Sequence, residues 1–208
     1  MCLDIVRFAD PQLLGRYSAQ FRQGFVAAKG FSAQELDAFN AAKQGLKGAK
    51  LYSCKVLERN DSSELQRFSK KADFLAAKGF SPQMCSWAAN SKGIKLLMQP
   101  FSPERCFIDL ETANVLAGNG VFVVIFFSDF LEAKGLKLSQ LIKNACACVK
   151  ICTSAGAKIM LASGAKSEHQ LRQAKDLSSF GVLLGMGREQ ALAAVRGNPK
   201  LLFLGGVK

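Results

Sequence analysis

The stretch from Phe74 to Gln83, "FLAAKGFSPQ", decides how the chain is read. A short β-rich run leads to a Lys78-Gly79 turn. Ser81-Pro82 then opens a helix, serine as the cap and proline at the first helical position. Nearly the same sentence, "FVAAKGFSAQ", begins at Phe25, 49 residues earlier, a distance of about two strand-helix units. The residues between the copies show no comparable match, so independent convergence on similar turns is preferred to a duplicated half. Either way, Lys29 and Lys78 are expected at equivalent turns.

Outward from this stretch the same alternation continues. The other β-rich runs are "LDIVRF", "AKLYSCKVLE", "IKLLMQPF", "VFVVIFFS" and "KIMLASGA". Between them lie helix-like stretches such as "PQLLGRYSAQFRQ", "DSSELQRFSKKA" and "LKLSQLIKNACACVKICTSAG". Ser32, Asp61 and Ser81 are read as helix caps, and Gly48, Gly93, Gly120 and Gly156 as helix ends. About seven strands, each followed by a helix until an all-helical end, fit a TIM-type barrel or a doubly wound open sheet. The barrel is preferred, because a steady alternation with no change of rhythm is what sequential closure produces. The fold expected is therefore α/β and TIM-barrel-like, with about seven parallel strands and surrounding helices in one domain over residues 1–208.

The 208 residues are 49% hydrophobic, enough for a sizeable core. Lys and Arg number 28 against 16 Asp and Glu, a net charge of +12, which favours polyanionic partners. The basic residues are scattered from Arg7 to Lys208, so the charge does not describe a disordered tail. Seven cysteines, from Cys2 to Cys152, follow no small-scaffold spacing and read as reduced thiols. Asp4, Arg7 and Asp10 interrupt the opening residues, and no apolar run approaches the roughly 20 residues that span a bilayer. A soluble, cytoplasmic protein without a membrane partner is expected.

In a barrel the strand-to-helix turns share one face, which would bring Lys29, Lys78, Lys134, Lys137 and Lys166 into a basic rim able to hold phosphates. On spacing alone, independent solvated lysines fit as well. The only histidine, His169, stands in "IMLASGAKSEHQLRQAKDL", Ile159 to Leu177. This reads as a strand, a small-residue turn carrying Lys166, and a helix start presenting His169, Arg172 and Lys175. The choice is between an active site and a place that holds an anion.

Catalytic motifs lack support. A metal-dependent phosphoesterase barrel needs several His and carboxylate ligands at strand ends. Here Asp4, Asp73, Asp109 and Asp129 form no H-x-H or D-x-H pair, and Asp109 reads as a helix-start residue. Ser163 is not in a G-x-S-x-G turn. Glu111 stands at a helix N-terminus, where acids are favoured by the dipole. In "CACVKIC", Cys148 and Cys152 share a helical face as packing residues do, and "LLGMGREQ" reads as a helix–helix turn.

Two longer segments carry more than spacing does. "SPERCFIDLETANVLAGNGVFVVIFFSDFL" and "QLIKNACACVKICTSAGAKIMLASGAKSEHQLRQAKDLSSFGVLLGMGREQALAAVRGNP" resemble the archaeal ribonuclease P protein component 3 family. The family's order is a Cys/Ile/Asp helix start, an apolar strand ending in Ser, a long helix, and "SSGAK"-like residues before "ELRSPRD". The likeness extends more loosely upstream and covers roughly the last three quarters of the chain; the first 48 residues match weakly.

The resemblance implies a seven-stranded TIM-like barrel related to phosphoesterase barrels, and a non-catalytic subunit of ribonuclease P. It implies binding to the catalytic RNA, which with its own Mg²⁺ removes the 5′ leader from precursor tRNA, the protein itself binding no cofactor. It implies pairing with ribonuclease P protein component 2, commonly as a dimer of heterodimers, and an indirect relation to precursor tRNA. Lys166 and Arg172 match the family's basic positions and Lys175 falls near the arginine of "SPRD", for which this chain has "QAKD". Lys134, Lys137 and Lys143 follow the family's Ser128 position as further RNA contacts; Lys29 and Lys78 join them as RNA-binding candidates from their place at the turns, and His169 is a bystander or minor contact. The rival readings are a metal-dependent phosphoesterase-like enzyme and a purely structural partner.

Overall fold

The computed structural model describes residues 3–46 and 48–204, so Cys2 and Lys208 lie outside the described residues. Seven parallel strands form one sheet in sequential order: β1 (Leu3–Val6), β2 (Gly24–Lys29), β3 (Leu51–Leu57), β4 (Phe74–Lys78), β5 (Ile94–Met98), β6 (Phe122–Phe126) and β7 (Ile159–Ala162). The order never reverses, which excludes the doubly wound alternative. The sheet is a nearly closed barrel. Across its seam Gly164 N donates to Ile5 O (3.0 Å), Arg7 N donates to Ala165 O (2.7 Å), and Asp4 accepts from Ser163 N (2.7 Å) and Ser163 Oγ (2.6 Å).

Helices α1 (Pro11–Phe21), α2 (Ala33–Gln44), α3 (Ser62–Phe68), α4 (Pro82–Asn90) and α5 (Leu110–Gly118) follow the first five strands. α6 (Phe127–Glu132) and α7 (Gly135–Ala155) follow β6, and α8 (Ala174–Leu183), α9 (Arg188–Leu192) and α10 (Asn198–Leu204) complete the chain. Ser32, Asp61, Ser81 and Asp109 each accept a backbone N–H at a helix start, a contribution of about 1 kcal/mol per cap. Gly156 is the left-handed end of α7 (φ 72°). α2, however, ends at Gln44 with Gly45 as its cap, and Gly48 lies beyond it in the loop.

Alternation along the strands sorts the core. Leu3, Ile5, Val26, Cys54, Ala76, Leu96, Val124 and Met160 fill the barrel, whereas Phe25, Leu57, Leu75, Leu97, Ile125 and Leu161 pack outward under the helices. α10 closes one end: Leu202 joins the interior, and the Phe203 ring meets Tyr52 (4.7 Å) and Phe74 (5.3 Å) near the beginnings of β3 and β4. The six described cysteines are free thiols, with Cys148 and Cys152 buried on α7, their sulfurs 4.0 Å apart. Among the described residues no helix is long and apolar enough to cross a membrane.

Two local expectations are corrected. The run "VFVVIFFS" is not strand to its end, because β6 stops at Phe126 and Phe127 begins α6. Ser128 is drawn to the neighbouring loop, its N donating to Ser163 O (2.9 Å) and its Oγ to Gly164 O (2.8 Å). The near-repeat also faces opposite ways. Phe25 packs outside the barrel and its counterpart Phe74 inside; Phe31 is buried and its counterpart Phe80 is 50% exposed. The turns differ accordingly, since a Cβ on Gly79 would lie 2.7 Å from Pro100 Cα, whereas Gly30 has nothing within 4 Å. Lys29 and Lys78 thus share a place in sequence but not an equivalent environment.

Candidate nucleic-acid interface

The segment after β7 is shaped by its own side chains. Gly164 has φ +60°, and a Cβ there would come within 2.6 Å of Phe126, so the turn requires glycine. Glu168–Gln170 forms a single 3-10 turn, tied to α1 by the Tyr17 hydroxyl donating to Glu168 (2.7 Å). Arg172 is not yet helical. Its Nη1 donates to His169 O (3.0 Å) and Leu171 O (2.8 Å), and its guanidinium carbon lies 5.6 Å from the Phe127 ring centroid. α8 starts at Ala174, so the expected helix start presents only Lys175. His169 is 87% exposed, with Nε2 3.8 Å from a Glu168 oxygen.

This segment forms one wall of a groove of about 930 Å³, where the first helix meets the last helices. Gln20 and Phe21 of α1 line one side, Arg172, Lys175 and Asp176 another, and Arg196 and Lys200 a third. Among the described residues none of these four cations is in an ion pair. Asp176 is the one carboxylate, and it accepts from Gln173 N at 3.4 Å. The N-terminal N–H groups of α8 add to the positive potential. Such a groove suits phosphate oxygens, with arginine offering forked donors and lysine point charges.

The rim at the strands' carboxyl ends is different. It surrounds a cavity of about 460 Å³ lined by Phe80, Met98, Phe101, Phe107 and Phe126 among others. Arg7 donates to both oxygens of Asp129 (2.6 and 2.7 Å), and its guanidinium carbon lies 4.3 Å from the Phe126 ring centroid. Lys29 pairs with Glu35 (2.8 Å), Lys78 with Glu58 (3.3 Å) and Lys166 with Glu132 (2.6 Å). Hydrogen bonding from Lys29, and then from Ser32, holds the Glu35 carboxyl down to about 2. Lys166 likewise lowers Glu132. At Lys29, Lys78 and Lys166 the expected basic rim is therefore charge-compensated. Lys134 precedes α7, Lys137 lies in its first turn, and Lys143 farther along; all three are exposed and line neither cavity.

The carboxylates weighed as metal ligands are dispersed. Asp4 holds Ser163, Asp73 accepts from Ser53 N (2.7 Å) and pairs with Lys43, Asp109 caps α5, and Asp129 holds Arg7. Among the described residues no three His, Cys, Asp or Glu side chains gather so as to hold a metal ion.

Of the sequence candidates, the groove brings together Arg172 and Lys175. Arg196 and Lys200 were missed, although their spacing of four on a helical stretch puts them on one face. What sequence could not show is that this face meets α1.

Fold and groove together define a TIM-barrel-like α/β protein with a basic flank. The chain belongs to the RNase P subunit p30 family, whose pattern it matches over residues 23–206. No curated protein is similar enough to count as a match. Among solved structures it is similar to a chain in the cryo-EM structure of archaeal ribonuclease P with mature tRNA, at 17% identity, covering 97% of this chain and 90% of that one, TM-score 0.81. It is also similar to a probable 2-pyrone-4,6-dicarboxylic acid hydrolase from Acinetobacter baumannii, at 14% identity, covering 97% and 98%, TM-score 0.60. At such identities these likenesses show the fold alone.

Proposed function

We propose that the protein serves ribonuclease P as a non-catalytic subunit that binds the catalytic RNA mainly through phosphate contacts. The RNA and its Mg²⁺ then remove the 5′ leader from precursor tRNA in the cytoplasm. The observation that carries this reading is the groove, where Arg172, Lys175, Arg196 and Lys200 stand without carboxylate partners among the described residues. Family membership supplies the particle. That a chain of the same fold stands in archaeal ribonuclease P with mature tRNA supports an RNA partner and protein neighbours. In this reading the protein neighbour is component 2, joined in a dimer of heterodimers, and precursor tRNA is met indirectly. Lys134, Lys137 and Lys143 extend the contact along α7, while Lys166, Lys29, Lys78 and His169 contribute less, the lysines being paired.

The test is cleavage of precursor tRNA by the RNA plus component 2 at modest Mg²⁺, with and without this protein. Stimulation by the wild type, reduced by Lys175→Ala with Lys200→Ala, is expected. No stimulation, with the same RNA and partner responding to a related subunit, overturns the reading. So does phosphoester turnover by the protein alone that is lost on chelation.

A further inference from the structure

The groove holds a feature that phosphate contact does not use. Tyr17 and Phe21, one helical turn apart on α1, stack with ring centroids 5.6 Å apart and planes within 5°. Tyr17 is the anchored member, its hydroxyl held by Glu168. Phe21 is the outer one, 40% exposed, and it lines the groove beside the four cations. α1 ends there, because Arg22 turns left-handed (φ 51°) and no further helical turn follows the ring. An aromatic ring opened to solvent among lysines and arginines combines the two elements that single-stranded nucleic acids need, a stacking surface and a path for the backbone.

We propose that the groove takes an unpaired nucleotide of RNA, its base extending the Tyr17–Phe21 stack and its flanking phosphates meeting Arg172, Lys175, Arg196 and Lys200. This rests on the RNA-binding reading above and adds which RNA structure is recognised. Every base has a π face, so the stack is tolerant of sequence, and Gln20 at the groove edge offers both a donor and an acceptor to a base edge. In a duplex each base is already covered by its neighbours, and only the cations find partners. The groove volume falls within the range of small-ligand sites.

The test uses the full chain and two probes, a short oligoadenosine carrying one 2-aminopurine and a blunt RNA duplex of the same length. Quenching of 2-aminopurine on binding, and tighter binding of the single strand than of the duplex, are expected. Phe21→Ala should weaken single-strand binding by about tenfold and remove the quench. It should leave duplex affinity and the slope of affinity against salt unchanged, since no cation is lost. Phe21→Trp should keep both affinity and quench, which separates stacking from a general disturbance of the helix end. Equal single-strand binding by Phe21→Ala and wild type, or a parallel loss on the duplex, overturns the proposal. If Lys175→Ala and Lys200→Ala weaken both probes and Phe21→Ala weakens neither, the stack falls while RNA binding stands. If the wild type binds neither probe in a salt-dependent way, both readings fall.

Discussion

Asp4 stands in β1 between Leu3 and Ile5, which point into the barrel, and gives both carboxylate oxygens to Ser163 across the seam. Burial raises its pKa from 3.8 to about 6, the Ser163 bonds opposing but not cancelling that effect. Between those values the folded state binds more protons than the unfolded one, so stability falls as pH rises through the window and levels off above it. The shift amounts to a loss of up to about 3 kcal/mol. Denaturant unfolding measured from about pH 4 to about pH 7 should show this decline, and Asp4→Asn should flatten it; an unchanged slope in the variant would assign the decline to other groups. Sequence singled out His169 because it is the lone histidine, yet its side chain is among the most open in the segment. Residue identity announces what a group is able to do; only its neighbours determine whether it is held, buried or free.

The near-identical stretches at Phe25 and Phe74 show the limit of local reading at the scale of an element. Both become a strand and a Ser-capped helix, as their pattern requires. Facing has period two, so a shift of one residue relative to the barrel exchanges inside for outside. The consequence is measurable at matched positions. Phe31→Ala should cost about 3–5 kcal/mol, as for a buried aromatic, whereas Phe80→Ala at the half-exposed counterpart should cost under about 1 kcal/mol. Comparable losses in thermal or denaturant unfolding would contradict the opposite facings. α6 was illegible for a related reason: "VFVVIFFS" is apolar throughout, and without periodicity nothing marks where strand becomes helix.

For the whole molecule, the net charge of +12 is spread along the chain, and two of the surfaces that carry part of it are unlike. At the barrel mouth each of Lys29, Lys78 and Lys166 meets a glutamate, while the groove cations meet none among the described residues. Phosphate binding releases counterions from the nucleic acid, and each lysine contact adds about one to the slope of log affinity against log salt. Lys175→Ala with Lys200→Ala should therefore lower that slope by about two, and Lys29→Ala with Lys78→Ala should leave it nearly unchanged. The reverse result in a salt titration would move the RNA surface to the mouth.

The sequence alone determined the strand count, the parallel alternation and most helix caps, because periodicity and capping chemistry are local properties written along the chain, and the family was legible in the resemblance of its two longer segments. It also supplied Arg172 and Lys175. The tertiary structure alone decided which lysines are neutralised, which copy of the repeat faces inward, and that α1, the segment after β7 and the last helices enclose one groove. Those outcomes depend on contacts between residues as far apart as Tyr17 and Glu168 or Asp4 and Ser163, which exist only once the barrel has closed.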